Sequence, residues 1–158
     1  MKTTWAVVAD EAITRILQWP ETGDVLEPVE ELTDPTAHSS GTELRRDAHG
    51  RRAGGGTMSQ RAGNAGSITA SAGEAEKHQE AELFARRVAD RLKQALQQKR
   101  FEELRIAAAP RFLGLLRKEL SGEVARTVST ELSKDLIHAD NREISQRLFP
   151  ENAADSAL

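Results

Sequence analysis

The chain has 158 residues, of which 38% are hydrophobic and 30% are charged, and its formal net charge is -3. This length fits one domain with an ordinary core. Cysteine is absent, which excludes disulfides and thiolate metal sites. No apolar run approaches the roughly 18 residues of a membrane helix, and the N-terminus lacks the pattern of a signal peptide. We therefore expect one cytoplasmic domain over residues 1–150, without a membrane span, and a flexible tail at 151–158.

Three strands are predicted at the start of the chain. Thr4–Ala9 is a nearly continuous apolar run, which is typical of a central strand buried on both faces. Residues 13–19 follow after a short polar break and are expected to form a hairpin with the first strand. Residues 25–32 are a weaker candidate, and Pro28 and the neighbouring glutamates favour an edge position there.

Residues 34–73 show no sustained periodicity and contain eight of the 11 glycines. A connection this long is either functional or disordered. Ser71 and Glu74 have the spacing of a capping box, so the next helix is predicted to begin there. The apolar residues of 74–99 recur with the period of a helix and form one stripe. Leu83 lies off the stripe and is expected to be exposed.

The junction at residues 104–113 predicts a buried strand followed by a helix. The apolar run ends before Pro110, whose missing N–H costs nothing in the first turn of a helix. Junctions of this kind lie at the carboxyl ends of strands, where open α/β sheets bind ligands. Arg111 is the one charge at the mouth of this junction, directly after Pro110, and it is a candidate binding residue.

The last third of the chain contains an ambiguous stretch. Val124, Val128 and Leu132 are spaced by four, as in a helix, but they also share one face of a strand. The β-branched residues between them favour a strand. Asp140 and Glu143 then have cap-like spacing before a final helix. The whole order predicts an α/β fold, with a mixed sheet of about five strands flanked by helices.

Residues 45–61 combine arginines with glycines and form the best binding candidate by composition. Arginine binds phosphates in a bidentate way, and glycine lets a backbone approach a ligand closely. The charge predicts a phosphate or RNA partner, and the alternative is a solvated loop. A Walker spacing is absent, and no aromatic side chain offers a stacking surface. The candidate residues are Arg45, Arg46, Arg51, Arg52, Gly54, Gly55 and Gly56.

Three polar residues are candidates for catalysis. Asp10 follows the first strand, where two-metal nucleases often keep a metal-binding acid, although a turn acid is the alternative. Asp135 and His138 follow the last strand, where together they could polarise a water molecule. The alternative is that Asp135 caps a turn, and no nucleophile lies beside the pair. Lys134 is a neighbouring binding candidate. The remaining histidines lack metal-binding spacing, so we predict neither a metal nor a cofactor.

Five segments of the chain resemble the bacterial host attachment protein family, whose members are described as required for attachment to host cells. The resemblance extends over residues 4–149. The segments are residues 5–10 (WAVVAD), 51–58 (RRAGGGTM), 84–86 (FAR), 108–114 (AAPRFLG) and 131–138 (ELSKDLIH).

The family is similar in fold to the central domain of archaeal and eukaryotic peptide-chain release factors. The resemblance therefore implies a ribonuclease H-like mixed sheet flanked by helices. In release factors the corresponding long loop carries Gly-Gly-Gln and helps to hydrolyse peptidyl-tRNA. This chain has Gly54-Gly55-Gly56-Thr57 at that place, which counts against a release-type hydrolase.

Three functional hypotheses follow. The first is a non-enzymatic interaction module that binds RNA or the ribosome through its arginines and affects attachment indirectly. The second is a hydrolase of an ester or phosphodiester that uses Asp10, Asp135 and His138. The third is a homodimer formed through an exposed sheet edge or helix face.

Overall fold

A computed structural model describes residues 2–34 and 63–152, and it describes the side chains of the long helix from Gly73 onward. Five strands and four helices lie within these residues. In chain order they are β1 (Thr4–Ala9), β2 (Ile13–Gln18), β3 (Glu27–Thr33), α1 (Gly63–Gln97), β4 (Glu103–Ala108), α2 (Pro110–Glu119), α3 (Gly122–Thr127), β5 (Val128–Ser133) and α4 (Asn141–Leu148). In this part of the chain, no helix has the length and apolar character needed to cross a membrane.

The strands form one mixed sheet in the order β3-β2-β1-β4-β5. β2 pairs antiparallel with both β1 and β3, whereas β4 pairs parallel with β1 and β5. The sheet confirms the predicted α/β class, the β1–β2 hairpin, the central position of β1 and the edge position of β3. Because β1, β3, β4 and β5 run the same way, their ends meet on one side of the sheet. We call this side the carboxyl edge, and it holds Asp10, Asp34, Ala109 and Lys134.

The first face of the sheet is covered by α1 and α2. Large apolar side chains fill the space between them, and two aromatic pairs stack or tilt against each other. The ring centroids of Trp5 and Phe101 are 5.0 Å apart, and those of Phe84 and Phe112 are 5.7 Å apart. All four residues are buried. This face therefore buries enough apolar surface to supply most of the hydrophobic stabilisation of the fold.

The second face is covered by α4 and by the loop at residues 134–140. Its core is smaller, with Leu136, Ile137, Ile144 and Leu148 packing on the sheet. The rings of Trp19 and Phe149 stack at the margin, with centroids 4.3 Å apart.

α1 begins at Gly63, so the predicted start near Ser71 and Glu74 is wrong. The helix packs on the sheet only from Ala81 onward, and every side chain from Glu74 to Gln79 is exposed. A helical segment that buries nothing has no apolar stripe, so its periodicity gives no signal. Leu83 is exposed, as predicted.

The stretch from Val124 to Leu132 is divided between a helix and a strand, so the prediction of one strand is wrong in its first part. Val124 belongs to α3 and is buried in the first-face core. The Ser121 hydroxyl accepts a hydrogen bond from Val124 N (3.3 Å) and caps this helix. Val128 and Leu132 lie in β5, as predicted.

The end of the described chain is anchored to the sheet. Asp140 Oδ1 accepts a hydrogen bond from Glu143 N (2.8 Å), which confirms the predicted cap of α4. Glu151, which the sequence places in the tail, forms an ion pair with Arg105 Nη1 (2.6 Å). The same guanidinium lies 4.2 Å from the centre of the Phe149 ring.

Candidate functional site

A pocket of about 180 Å³ opens at the carboxyl edge of the sheet. Three elements line it: the β1–β2 turn, α1 and the first two turns of α2. Five of the seven lining side chains are titratable or charged. The lining residues are Glu11, Glu74, Lys77, His78, Ala81, Arg111 and Leu115.

The β4–α2 junction places Arg111 at this pocket. Ala109 N donates a hydrogen bond to Ala9 O (3.2 Å), which joins the junction to the end of β1. Pro110 occupies the first turn of α2, and no side chain of the described residues caps this helix. The Arg111 side chain is exposed and makes neither a hydrogen bond nor an ion pair within residues 2–34 and 63–152. The structure thus places Arg111 at a pocket, and its role in binding stays a prediction.

α1 contributes a second row of charged side chains. Glu74, Lys77, His78 and Ala81 are spaced by three or four residues and therefore share one face of the helix. Sequence reasoning missed Lys77 as a site residue and took His78 as an exposed polar residue. Their spacing to Ala81, the first buried position of α1, was the signal that could have found them.

The Asp10 carboxylate is engaged by the backbone. Asp10 Oδ1 accepts hydrogen bonds from Ala12 N (2.8 Å) and Ile13 N (2.7 Å). This is the geometry of a turn acid, in which an aspartate organises the residues that follow it. In doing so, Asp10 fixes the turn that presents Glu11 to the pocket.

Asp135 also accepts a backbone hydrogen bond, from Ile137 N at 3.0 Å. Lys134 and His138 are exposed on either side of it. Arg15 of β2 stabilises the loop at residues 134–140: its Nη1 donates hydrogen bonds to Ile137 O (3.2 Å) and Ala139 O (2.9 Å). The Arg15 guanidinium therefore helps to fix the conformation of the loop that carries Lys134, Asp135 and His138.

Asp10 and Asp135 follow strands that are not neighbours. Ala9 pairs with Ala108, and Ala108 pairs with Ser133, so β4 separates the two ends. Two strand spacings amount to about 10 Å. Asp10, Asp135 and His138 do not line the pocket. In the described part of the chain, no group of three or more histidine or acidic side chains is arranged to hold a metal ion. A catalytic role for these residues stays a prediction.

The arginine and glycine candidates from Arg45 to Gly56 lie outside the described residues. The segment lies between β3 and α1. β3 ends with Thr33 at the carboxyl edge, and α1 begins at Gly63. Glu74 lines the pocket at the same edge, and Gly63 lies eleven residues before it, which is about 16 Å along a helix axis. The helix therefore extends beyond the edge of the sheet.

Two further clusters lie away from the pocket. A groove of about 530 Å³ runs between α1 and the edge strand β3 and is lined mainly by polar side chains. Beside it, the Glu30 carboxylate receives three hydrogen bonds of 2.7 to 3.0 Å from Arg91. These bonds from Arg91 hold the pKa of Glu30 below its usual value, although partial burial acts in the opposite direction. This pair fastens α1 to the edge strand.

On the opposite side of the sheet, Glu103 accepts hydrogen bonds from Arg105 Nε (2.9 Å) and from the Ser129 hydroxyl (2.7 Å). Burial by itself would raise the pKa of Glu103. The two hydrogen bonds and the nearby cations outweigh this effect, so the pKa lies below its usual value. The arrangement joins β4 to β5 and has a structural role.

The fold and the pocket define the chain as an α/β protein with a charged pocket at the carboxyl edge of a mixed sheet. The family model described as "Protein required for attachment to host cells" matches residues 5–148, so the chain belongs to the host attachment family. No curated protein matches the chain.

Proposed function

We propose that this protein is a non-enzymatic interaction module that binds RNA or the ribosome and thereby affects attachment to host cells indirectly. The arginine and glycine residues of segment 45–56 make the contacts with phosphate groups. Family membership supports the link to attachment.

One observation carries the proposal. The arginine-bearing segment leaves the sheet at the carboxyl edge and rejoins the described chain at Gly63, the start of a helix that extends beyond that edge. Arg111 and Lys134 are exposed at the same edge. An anionic partner that binds the arginines would find these two cations at the edge where the arginine-bearing segment leaves the sheet.

The strand order supports the resemblance to the ribonuclease H-like central domain of release factors. β2 is the one strand of the five that runs against the others. The residues that replace Gly-Gly-Gln favour binding over release-type hydrolysis. The Asp10 and Asp135 carboxylates both accept backbone hydrogen bonds in turns. This structural role explains the presence of an aspartate at each position without a catalytic function.

The test is a binding titration with ribosomes and with tRNA at several salt concentrations. We expect affinity to fall steeply with salt, because phosphate contacts release counterions. A variant with Arg45, Arg46, Arg51 and Arg52 changed to Ala should lose most of the binding. Its log–log salt slope should decrease by up to about 3, at roughly 0.7 for each lost contact with a single strand.

A matched control removes four exposed cations elsewhere, namely Lys118, Arg126, Arg142 and Arg147. These residues make no ion pair within the described residues, and the control changes the net charge by the same amount. Binding by the control should stay close to that of the unaltered protein. Absent or salt-insensitive binding, or equal losses in both variants, would contradict the proposal.

A further inference from the structure

The pocket at the carboxyl edge holds opposite charges that do not pair with each other. Glu11 and Glu74 supply two carboxylates, and Lys77 and Arg111 supply two cations. None of these four side chains makes a hydrogen bond or an ion pair within the part of the chain that the structure describes. Glu74 and Lys77 are even spaced for pairing along α1, since residues three apart are neighbours on a helix.

The other lining residues complete a small cleft with an apolar floor. His78 Nε2 lies 3.0 Å from Glu82 Oε1, so its imidazole already has a partner. Ala81 and Leu115 are buried and form the apolar part of the lining. With about 180 Å³, the pocket is smaller than the roughly 300–1,000 Å³ of sites that enclose drug-sized ligands.

We propose that this pocket binds a small zwitterion with a short apolar part, which is the chemistry of a free α-amino acid. The ligand carboxylate pairs with the Arg111 guanidinium, which suits bidentate recognition, and with Lys77. The ligand ammonium group lies between the carboxylates of Glu11 and Glu74. The side chain of the ligand packs on the apolar floor formed by Ala81 and Leu115.

Charge complementarity favours this ligand over a simple anion. A phosphate group would gain from Arg111 and Lys77 but would also face two carboxylates in the same small pocket, and like charges brought together across an interface are unfavourable. A zwitterion satisfies both pairs at once. The proposal does not depend on RNA binding, so either one can fail while the other holds.

The experiment is an NMR titration of the uniformly ¹⁵N-labelled full chain. The probes are L-alanine, N-acetyl-L-alanine, L-alaninamide and inorganic phosphate. L-alanine should shift the amide signals of Lys77, Arg111 and Leu115 in a saturable way. The acetylated probe lacks the cation and the amide probe lacks the anion, so each should bind at least about fivefold more weakly.

Two variants locate the recognition groups. Arg111→Ala should weaken L-alanine binding at least about fivefold, and the double variant Glu11→Gln, Glu74→Gln should do the same. All three positions are exposed, so the fold should be kept, and the same spectra show whether it is. The control is Arg126→Ala, which removes an exposed arginine outside the pocket and should leave binding unchanged.

Three results would overturn the proposal. One is the absence of saturable shifts at the pocket with L-alanine. Another is phosphate binding there as strongly as L-alanine. The third is unchanged L-alanine binding in the Arg111→Ala variant with an intact fold.

Discussion

On the first face of the sheet, α1 and α2 bury a continuous apolar core that includes Phe84 and Phe112. On the second face, α4 and the loop at residues 134–140 bury fewer side chains, and hydrogen bonds from two arginines help to hold them. Arg15 and Arg105 extend from the strands of the sheet to carbonyl groups of the covering segments. The first face therefore depends mainly on volume and packing, whereas the second also depends on directional polar contacts.

This difference matters for the candidate residues Lys134, Asp135 and His138, because the second face supports the loop that carries them. Packing fixes an element as a whole, but hydrogen bonds to Ile137 O and Ala139 O fix the backbone of one particular loop. Substitutions in the first-face core should therefore cost global stability, whereas loss of a polar contact on the second face should act on one loop.

Phe112→Ala should cost about 3–5 kcal/mol of unfolding free energy, because it removes a fully buried ring from the first-face core. Chemical denaturation measures the loss. Leu83→Ala is the control, since this exposed leucine on α1 should change stability by less than about 0.5 kcal/mol. A small effect at Phe112 would show that the first face is not the dominant core.

Arg15→Met should destabilise the protein by about 2–3 kcal/mol, because it keeps much of the apolar stem and leaves two carbonyl groups without their donor. Amide hydrogen exchange should accelerate at residues 137–141 more than in α1. Arg142→Met is the matched control, since Arg142 is exposed and makes no ion pair within the described residues. Uniformly faster exchange would mean that Arg15 does not act specifically on the loop.

Thr14→Val should stabilise the protein by about 1 kcal/mol. The Thr14 hydroxyl is fully buried and has no hydrogen-bond partner within the described residues, and burying such a group is costly. Valine keeps the shape and the preference for a strand. The control is Thr33→Val, an exposed position on β3. A loss of stability at Thr14 would show that its hydroxyl has a polar partner in solution.

Glu30→Gln should cost about 1 kcal/mol at neutral pH, because the pair with Arg91 is partly exposed. Since folding lowers the pKa of Glu30, the pair stabilises the fold fully above the ordinary glutamate pKa of about 4.3. This stabilisation is lost as the pH falls from there through the lowered value. Denaturation at several pH values should therefore show a weaker acid dependence in the variant.

The control for this prediction is Glu27→Gln, which changes an exposed glutamate on the same strand. Its stability curve should follow that of the unaltered protein between pH 7 and 3. If both variants lose the same acid dependence, then the general acidity of β3 matters more than the pair with Arg91.

Much of the fold was readable from local patterns. The continuous apolar run of β1 predicts a central strand, because such a strand is buried on both faces. The proline in β3 predicts an edge strand, because one side of an edge strand needs no backbone donor. Pro110 after the apolar run of β4 predicts the start of a helix, where a missing N–H costs nothing. The start of α1 at Gly63 was not readable from the predicted stripe, since the helix packs on the sheet only from Ala81 onward and the side chains from Glu74 to Gln79 are exposed. Val124 was misjudged because a spacing of four and a β-branched run give conflicting signals.

The candidate site was predicted only in part. The sequence alone determined the chemistry of Arg111 and its place after a buried strand, because proline and apolar spacing act locally. The family resemblance, which rests on five short segments, was also available from the sequence, and the matched family confirms it. The tertiary structure decided that Glu11, Lys77 and Arg111 share one pocket, while Asp10 and Asp135 follow strands separated by β4. Contacts between residues far apart in the chain depend on strand order and helix packing, which no local pattern specifies.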